Sequence, residues 1–526
     1  MDFTSAAQVE NPFLDVTIRA AFKGPSGREI IREAYWDGGN FYKISFAPTE
    51  VGSWRYRLQA PAQTELDGQS GEIECVKYGG NLAIYQHGFI KVSGQGRYLA
   101  YADDTPFFWL GDTHWGFVSG ERWDDSNHPG MDSMFRGMVD KRCTQGYTVY
   151  QTNLRPESFM GATHYWEDGH EGTLPDVHFY QREVDKRMQY LADHGLVNAL
   201  GFAWFMSAPR KPETYQRLAR YIVARYGALP IVWTLAGEVA GYSSGTREAC
   251  ISAWREIALL VEKLDGGYHT LQTAHYTNER PFASYYQNEG WFDFTLNQAG
   301  HGDYVISGED FQEHRQKYPN KPFVEGEGMY EFVHTLEENG GRIATADMVR
   351  RVAYISMQTG GCGYTYGAQG IWDTVWEKPK EESPFNAFNP HGITWFEAVE
   401  GEGAKQMGYM RAFYEKNRFH TLRPFMGCYK SENPFSPEGL FGLFHPYITA
   451  NDDMSTVVLY FTSLTRDSAA AVRYLQNKHY MVQWFDPREN CYITVDTAAS
   501  PSNGEYRLPK RPGSEDWLLV LSANKG

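Results

Sequence analysis

The stretch KPFVEGEGMYE, residues 321 to 331, carries three glutamates in eleven residues. Glu325, Glu327 and Glu331 would repel one another if all were ionised in a dry site, and the glycines among them point to tight backbone. The stretch ends an apolar strand-like run, so period-2 alternation places Phe323, Glu325 and Glu327 on one face, with Glu327 outermost. Glu325 then reads as the buried partner of an arginine or lysine, and Glu331 as a rim residue. A fourth glutamate, Glu238, closes IVWTLAGE in the same manner. A carboxyl at the end of an apolar strand has low-dielectric walls that raise its pKa, which suits a general acid. One carboxyl that stays protonated and one that stays ionised, facing each other, is what glycoside hydrolysis requires: the first protonates the leaving oxygen while the second attacks or activates water.

Such a pair needs a frame that brings distant strand ends together. Eight apolar runs fit it: PFFWLGD (106 to 112), YTVYQTN (147 to 153), LVNALGF (196 to 202), IVWTLAGE (231 to 238), HTLQTAH (269 to 275), FDFTLNQ (292 to 298), KPFVEGE (321 to 327) and GYTYG (363 to 367). Amphipathic segments separate most of them. The periodicity predicts helices near 179 to 194, with Val184, Met188 and Leu191 on one stripe, near 212 to 226, opening at Pro212, and near 345 to 358. The helix between the fifth and sixth runs is weak. Eight βα units over about 300 residues predict an α/β fold, a (β/α)8 TIM barrel, whose site lies at the carboxyl ends of the strands. Short aromatic and β-branched runs separated by turns, from FLDVTIRAAF to GEIECVKY, predict an N-terminal β-sandwich, and MSTVVLYFTS to DWLLVLS a C-terminal one. The expected domains are therefore residues 1–80, 81–425 and 426–526.

Polar and aromatic residues cluster at those strand ends, where a barrel built only for packing has no need of them. Besides Glu238 and Glu327, the candidates for contact with substrate are Asp112, His114, Trp115, Asn153, Arg155, Trp204, His275, Gln298, His301, Tyr330, Tyr366 and Trp372. The tryptophans could stack on sugar faces and the histidines bond sugar hydroxyls. His114, His275 and His301 come from different loops with no HxH or HExxH spacing, so no metal or other cofactor is expected.

Bulk composition narrows the partner. A net charge of −16 argues against nucleic acid or an anionic membrane, both of which repel an acidic surface. Aromatic residues make up 15% of the chain, with 15 Trp and 35 Tyr, which fits sugar-stacking surfaces as well as large cores. The six cysteines are scattered without a CxxC pair and read as reduced. The start, MDFTSAAQVENPF, lacks the basic and apolar pattern of a signal peptide, so a cytoplasmic protein is expected, acting on a small glycoside or oligosaccharide. A homo-oligomer stays open.

In this order, PFFWLGDTHW, PIVWTLAGE, FDFTLNQAGH, KPFVEGEGMYE and GCGYTYGAQGIW resemble the apiosidase-like glycoside hydrolases, whose catalytic domain is known as DUF4038. FYKISFAPTEVGSWRYRL resembles the DUF5060 β-sandwich that often precedes it, and WFDPRENCY with DWLLVLS the collagen-binding-type β-domain that follows. The resemblance implies a retaining exo-glycosidase with Glu238 as acid/base and Glu327 as nucleophile, releasing apiose or a related pentose or hexose. The family's strand-four motif often ends in GGD where this chain has AGE, and the longer carboxyl reaches one methylene further. The C-terminal domain is expected to pack on the barrel. Two other readings stand beside this one: a carbohydrate-binding protein on an inactive barrel, and a metal-dependent sugar isomerase or aldolase.

Overall fold

In the computed structural model, seven of the eight runs become strands of one all-parallel sheet. They are β1 (Trp109–His114), β2 (Val149–Asn153), β3 (Val197–Trp204), β4 (Ile231–Gly237), β5 (Thr295–Gln298), β6 (Phe323–Glu327) and β7 (Gly363–Tyr366), in the order β4-β3-β2-β1-β7-β6-β5. The structure describes every residue except 7–8, 64, 119–121, 155–163, 280–281, 302–307, 336–340, 379–388, 432–444, 467–468, 477, 500–502 and 524–526.

The fifth expected strand is the exception. Residues 270–276 lie between β4 and β5 and bond to both, but the pairing amounts to two isolated parallel bridges, Trp233 to Gln272 and His275 to Leu296, and not a continuous ladder. His269, at the head of this run, takes a left-handed backbone (φ 59°), which interrupts extended geometry there. The segment still spans the gap, and the result is a TIM-barrel-like α/β core.

The longer helices covering this sheet among the described residues are α1 (Met134–Thr144), α2 (Asp185–Asp193), α3 (Pro212–Tyr226), α4 (Ser244–Leu264), α5 (Gly308–Lys317), α6 (Ala346–Gln358) and α7 (Glu402–Lys416). Because helices pack outside and side chains fill the inside, β1, β2, β4, β6 and β7 are buried at every residue, the pattern of a parallel sheet covered on both faces. The stripe of Val184, Met188 and Leu191 is buried as its spacing predicts, although a wider turn at Tyr180–Val184 precedes α2. Alternation decides which side chains reach the interior. On β1, Trp109 bonds across to Thr365 (2.9 Å) and Thr113 to Gln151 of β2 (3.3 Å), and Gln151 crosses to the Gly326 carbonyl of β6 (2.9 Å). Asp112 and His114 point the other way, toward the helices.

Each end of the chain adds two small sheets. The N-terminal sheets dock at the carboxyl end of α3, where Arg32 donates to the Val223 carbonyl (2.7 Å) and Arg225 pairs with Asp37 (2.9 Å). The C-terminal sheets dock on α6 and α7: Arg350 grips Asp516 with two bonds of 2.8 and 2.9 Å, and Tyr354 stacks on Tyr460. Among the described residues no helix is long and apolar enough to cross a membrane.

Candidate active site

The end of β4 is built under strain. Leu235 and Glu238 both have positive φ (59° and 50°), a conformation that costs a residue with a side chain on the order of 1–3 kcal/mol. Leu235 sits where the β3–β4 ladder shifts register. Gly237 has no space for a side chain, since a Cβ would fall 2.2 Å from the Trp204 ring. The AGE ending thus turns the chain sharply and delivers Glu238 to the mouth, with its backbone N–H toward His275 Nδ1 (3.4 Å). At β6 a second register shift, between Asn297 and Gln298, brings Glu327 level with Gln298.

Gln298 joins the two carboxylates. Its Nε2 donates to Glu238 Oε1 at 3.1 Å and to Glu327 Oε1 at 3.0 Å. Two oxygens held by one nitrogen lie at most about 6 Å apart, short of the roughly 6.5–9.5 Å separation of inverting pairs. Around Glu327, His275 Nε2 lies 3.0 Å from Oε2 and His301 Nε2 lies 3.2 Å from Oε1, and the other His301 nitrogen faces the Gly328 carbonyl (2.9 Å). The Tyr330 ring lies over His301, with centroids 4.2 Å apart, in space left by Gly367, where a Cβ would sit 2.3 Å from that ring. Trp115 stands edge-on to both Trp204 and His275. Among the described residues, Gln298 Oε1 is buried without a hydrogen-bond partner; such an atom is costly unless a ligand or water meets it.

This environment drives the two acids apart. Burial, then the charge of Glu327, raise the pKa of Glu238. Burial also pushes Glu327 upward, but the bonds and charge of His275 and His301 outweigh it and hold that carboxyl down at about 2. The two carboxyls are thus shifted in opposite directions, as environment does in acid/base pairs.

The structure brings Glu238, Glu327, His275, Gln298, His301, Tyr330, Trp115 and Trp204 together, with Trp372 behind Tyr330 (centroids 6.4 Å apart). Asn153 shares the inward face of Gln151 and donates to the Ala203 carbonyl (2.9 Å), bracing β2 on β3. Arg155 lies outside the described residues. Three expectations are corrected. Asp112 is ion-paired to Arg142 of α1 (2.7 Å). His114 is held between Tyr150 and Thr374 (2.8 and 3.3 Å), where burial lowers its pKa to about 3. Tyr366 donates to Glu331 (2.6 Å). All three lie on the helix-facing side of their strands, because alternation separates neighbours that share a strand end. Glu331 is likewise no rim residue: it is 2% exposed and accepts the Gly403 N–H at the start of α7. Phe323 packs against Phe282 and Phe311, while Glu325 accepts from Asn297 Nδ2 (2.7 Å) and the Ala299 N–H (2.8 Å).

One site residue escaped the sequence reading. Tyr242 donates its hydroxyl to Glu238 Oε1. Its signal is a tyrosine four residues beyond Glu238 with a glycine just before it, but it lies past the strand end, where polar residues cluster for many reasons.

The profile of the apiosidase-like catalytic domain matches residues 93–421. The chain belongs to the apiosidase-like family. The profile of the DUF5060 domain matches residues 1–61, before the apiosidase-like domain, and that of a collagen-binding-like domain, described from a collagenase, matches residues 444–522 after it. The two register shifts and the Gln298 bridge are therefore features of a glycoside-hydrolase-like core. Solved structures share its shape. A glycoside hydrolase is 19% identical with a TM-score of 0.67, covering 84% of this chain and 98% of its own. A family 5 glycoside hydrolase from Bacteroides vulgatus ATCC 8482 is 18% identical (TM-score 0.66; 84% and 94% covered). A second structure from that organism, provisionally described as a glycoside hydrolase, is 17% identical (TM-score 0.71; 100% and 98%). At these identities the likeness establishes fold. No curated protein matches the chain.

Proposed function

We propose that this protein is a retaining exo-glycosidase that removes a terminal sugar, apiose or a related pentose or hexose, from a small glycoside or oligosaccharide. One observation carries the reading: a single amide nitrogen bonds both carboxylates, too close a pair to seat the water that inversion requires between acid and base. Counting the bridged segment 270–276 as the remaining member of the sheet gives the (β/α)8 arrangement in which strands four and seven place these groups.

In the first step Glu327, ionised, attacks the anomeric carbon. The bond to the leaving oxygen breaks as Glu238 gives that oxygen its proton, leaving a glycosyl ester on Glu327. Water then attacks the same carbon, Glu238 takes the water proton, and Glu327 departs as carboxylate. His275 and His301 keep Glu327 ionised and fix its orientation. Gln298 Oε1, buried and without a hydrogen-bond partner among the described residues, supplies an acceptor for a sugar hydroxyl. Trp115 is 2% exposed and Glu327 6%, which suits a pocket holding one terminal ring more than a cleft open at both ends.

Aryl glycosides and apiose-bearing flavonoid glycosides provide the test. Glu327→Gln and Glu238→Gln should each lower kcat/KM by 100-fold or more, as loss of general acid or nucleophile does, on the order of 10²–10⁴. Azide added to Glu238→Ala should yield a glycosyl azide of retained configuration. Near wild-type rates in either Gln variant would end the assignment. Oligosaccharide binding without product release would favour an inactive binding protein, and loss of activity on chelation a metal-dependent barrel.

A further inference from the structure

Tyr242 is the most unusual side chain near the pair. It is 64% exposed, yet its hydroxyl is fixed on Glu238 Oε1. The chain arrives there through a tight turn: the Gly241 N–H donates to the Glu238 carbonyl (2.7 Å) and the Val239 N–H to the His275 carbonyl (3.0 Å). Gly241 has φ 62°, and a Cβ on it would fall 2.5 Å from the Phe205 ring, so this turn has one tolerated residue at that place. The ring is therefore held at one position while its faces stay open to solvent. A large aromatic with few rotatable bonds offers contact area at low entropic cost.

The chemistry says what must pass beside it. A proton donor works within about 2.6–3.2 Å of the oxygen it protonates, so the leaving oxygen must approach the same carboxyl that Tyr242 holds. On the Glu327 side stand His275, Gln298, Tyr330 and Trp115, all buried, which is the side where the attacked ring belongs. The departing group must lie on the other side of Glu238, along Tyr242. Resting on the glycosidase reading above, we propose that Tyr242 is the platform of the leaving-group subsite, a specificity-determining residue that selects departing groups with a flat apolar face, an aryl aglycone or the C–H face of a pyranose.

The experiment compares two substrates of one sugar, chosen as the sugar whose aryl glycoside the wild type turns over. One is that aryl glycoside and the other the glycosyl fluoride, which has no ring to rest on Tyr242. Tyr242→Ala should lower kcat/KM for the aryl glycoside about tenfold more than for the fluoride, chiefly through KM. Tyr242→Phe keeps the ring and should keep the wild-type ratio between the substrates. A Tyr242→Ala variant whose two substrates fall in the same proportion, or whose ratio equals the wild type's, overturns the inference and leaves the glycosidase reading standing. If the wild type hydrolyses neither substrate, or Glu327→Gln hydrolyses both at full rate, the glycosidase reading itself fails and the platform with it.

Discussion

At the scale of single residues, the site works by opposing environments, and pH exposes them. Glu327 is pushed up by burial but held at about 2 by His275 and His301, while Glu238 is raised by burial and by Glu327. The acid limb of kcat/KM should report protonation of Glu327 and the alkaline limb ionisation of Glu238, as macroscopic values of the coupled pair. His301→Ala removes a group that favours the ionised form, so the acid limb should move up from about 2 toward the ordinary glutamate range near 4.3. A pH–rate profile with an unmoved acid limb would show that His301 does not act through Glu327. Tyr242→Phe has the same sign at the other limb. The phenol favours ionised Glu238, so its loss should carry the alkaline limb to higher pH, with Glu327, His275 and Gln298 still facing the carboxyl; a limb that falls would contradict the bond. The residues legible in the sequence were those whose position and direction coincide: Glu238, Glu327 and Gln298 end their runs and converge on the site, with His301 just beyond. Asp112, His114 and Tyr366 end theirs too, but face the helices, a distinction that strand-end position alone does not carry.

At the scale of elements, those misplaced residues turn out to hold the strands to the helices. Asp112 of β1 and Arg142 of α1 are both fully buried and 2.7 Å apart, and the guanidinium lies over the rings of Tyr147 and Tyr366, the latter bonded to Glu331. Removing one member of a buried pair leaves an uncompensated charge, which costs about 3–5 kcal/mol. Arg142→Met should therefore lower the unfolding free energy by that amount in a denaturant titration. The double variant Arg142→Met with Asp112→Asn should recover part of the loss, because the stranded charge is gone; a double variant as unstable as the sum of both singles would show that the pair contributes no coupling. The sequence showed these elements through apolar runs closed by polar strand ends, and helices through stripes such as Leu218 and Ile222. It could not show that the run at 269 to 275 would pair by single bridges, since apolar content is the same whether a segment forms a ladder or two contacts. Nor could it show the register shifts at Leu235 and Gln298, which depend on what the neighbouring strand presents.

At the scale of the whole molecule, the C-terminal sheets have a core of their own but also send residues into the core of the TIM-barrel-like domain. Tyr447, Val458, Tyr460, Phe485, Leu518 and Val520 belong to the same buried cluster as the barrel's strands and helices. The joint is polar as well as apolar: the Gln358 amide of α6 donates to the carbonyls of Tyr447 and Val458 (3.1 and 3.0 Å), and its oxygen accepts from Thr449 (2.8 Å). Phe413 of α7 packs on Phe485 at 4.6 Å. Cutting the chain after residue 425 would bare Phe413 and Tyr354 and strip Arg350 of Asp516 and Gln358 of Tyr447, Thr449 and Val458, leaving an exposed apolar patch of the kind that drives association. The truncated protein should accumulate as aggregate and lose activity, although no described residue of the removed part touches Glu238 or Glu327. A gentler probe separates the polar joint from the apolar one. Arg350→Met leaves Asp516, itself 0% exposed, buried and stripped of its bidentate partner, which should cost about 3–5 kcal/mol while the Michaelis constant for a glycoside stays within about twofold of wild type. Calorimetry should then show a single transition moved to lower temperature, because the two cores melt as one. Two separated transitions, or a soluble and fully active fragment ending at 425, would mean that the C-terminal domain is an appendage whose contacts with α6 and α7 carry none of the barrel's stability.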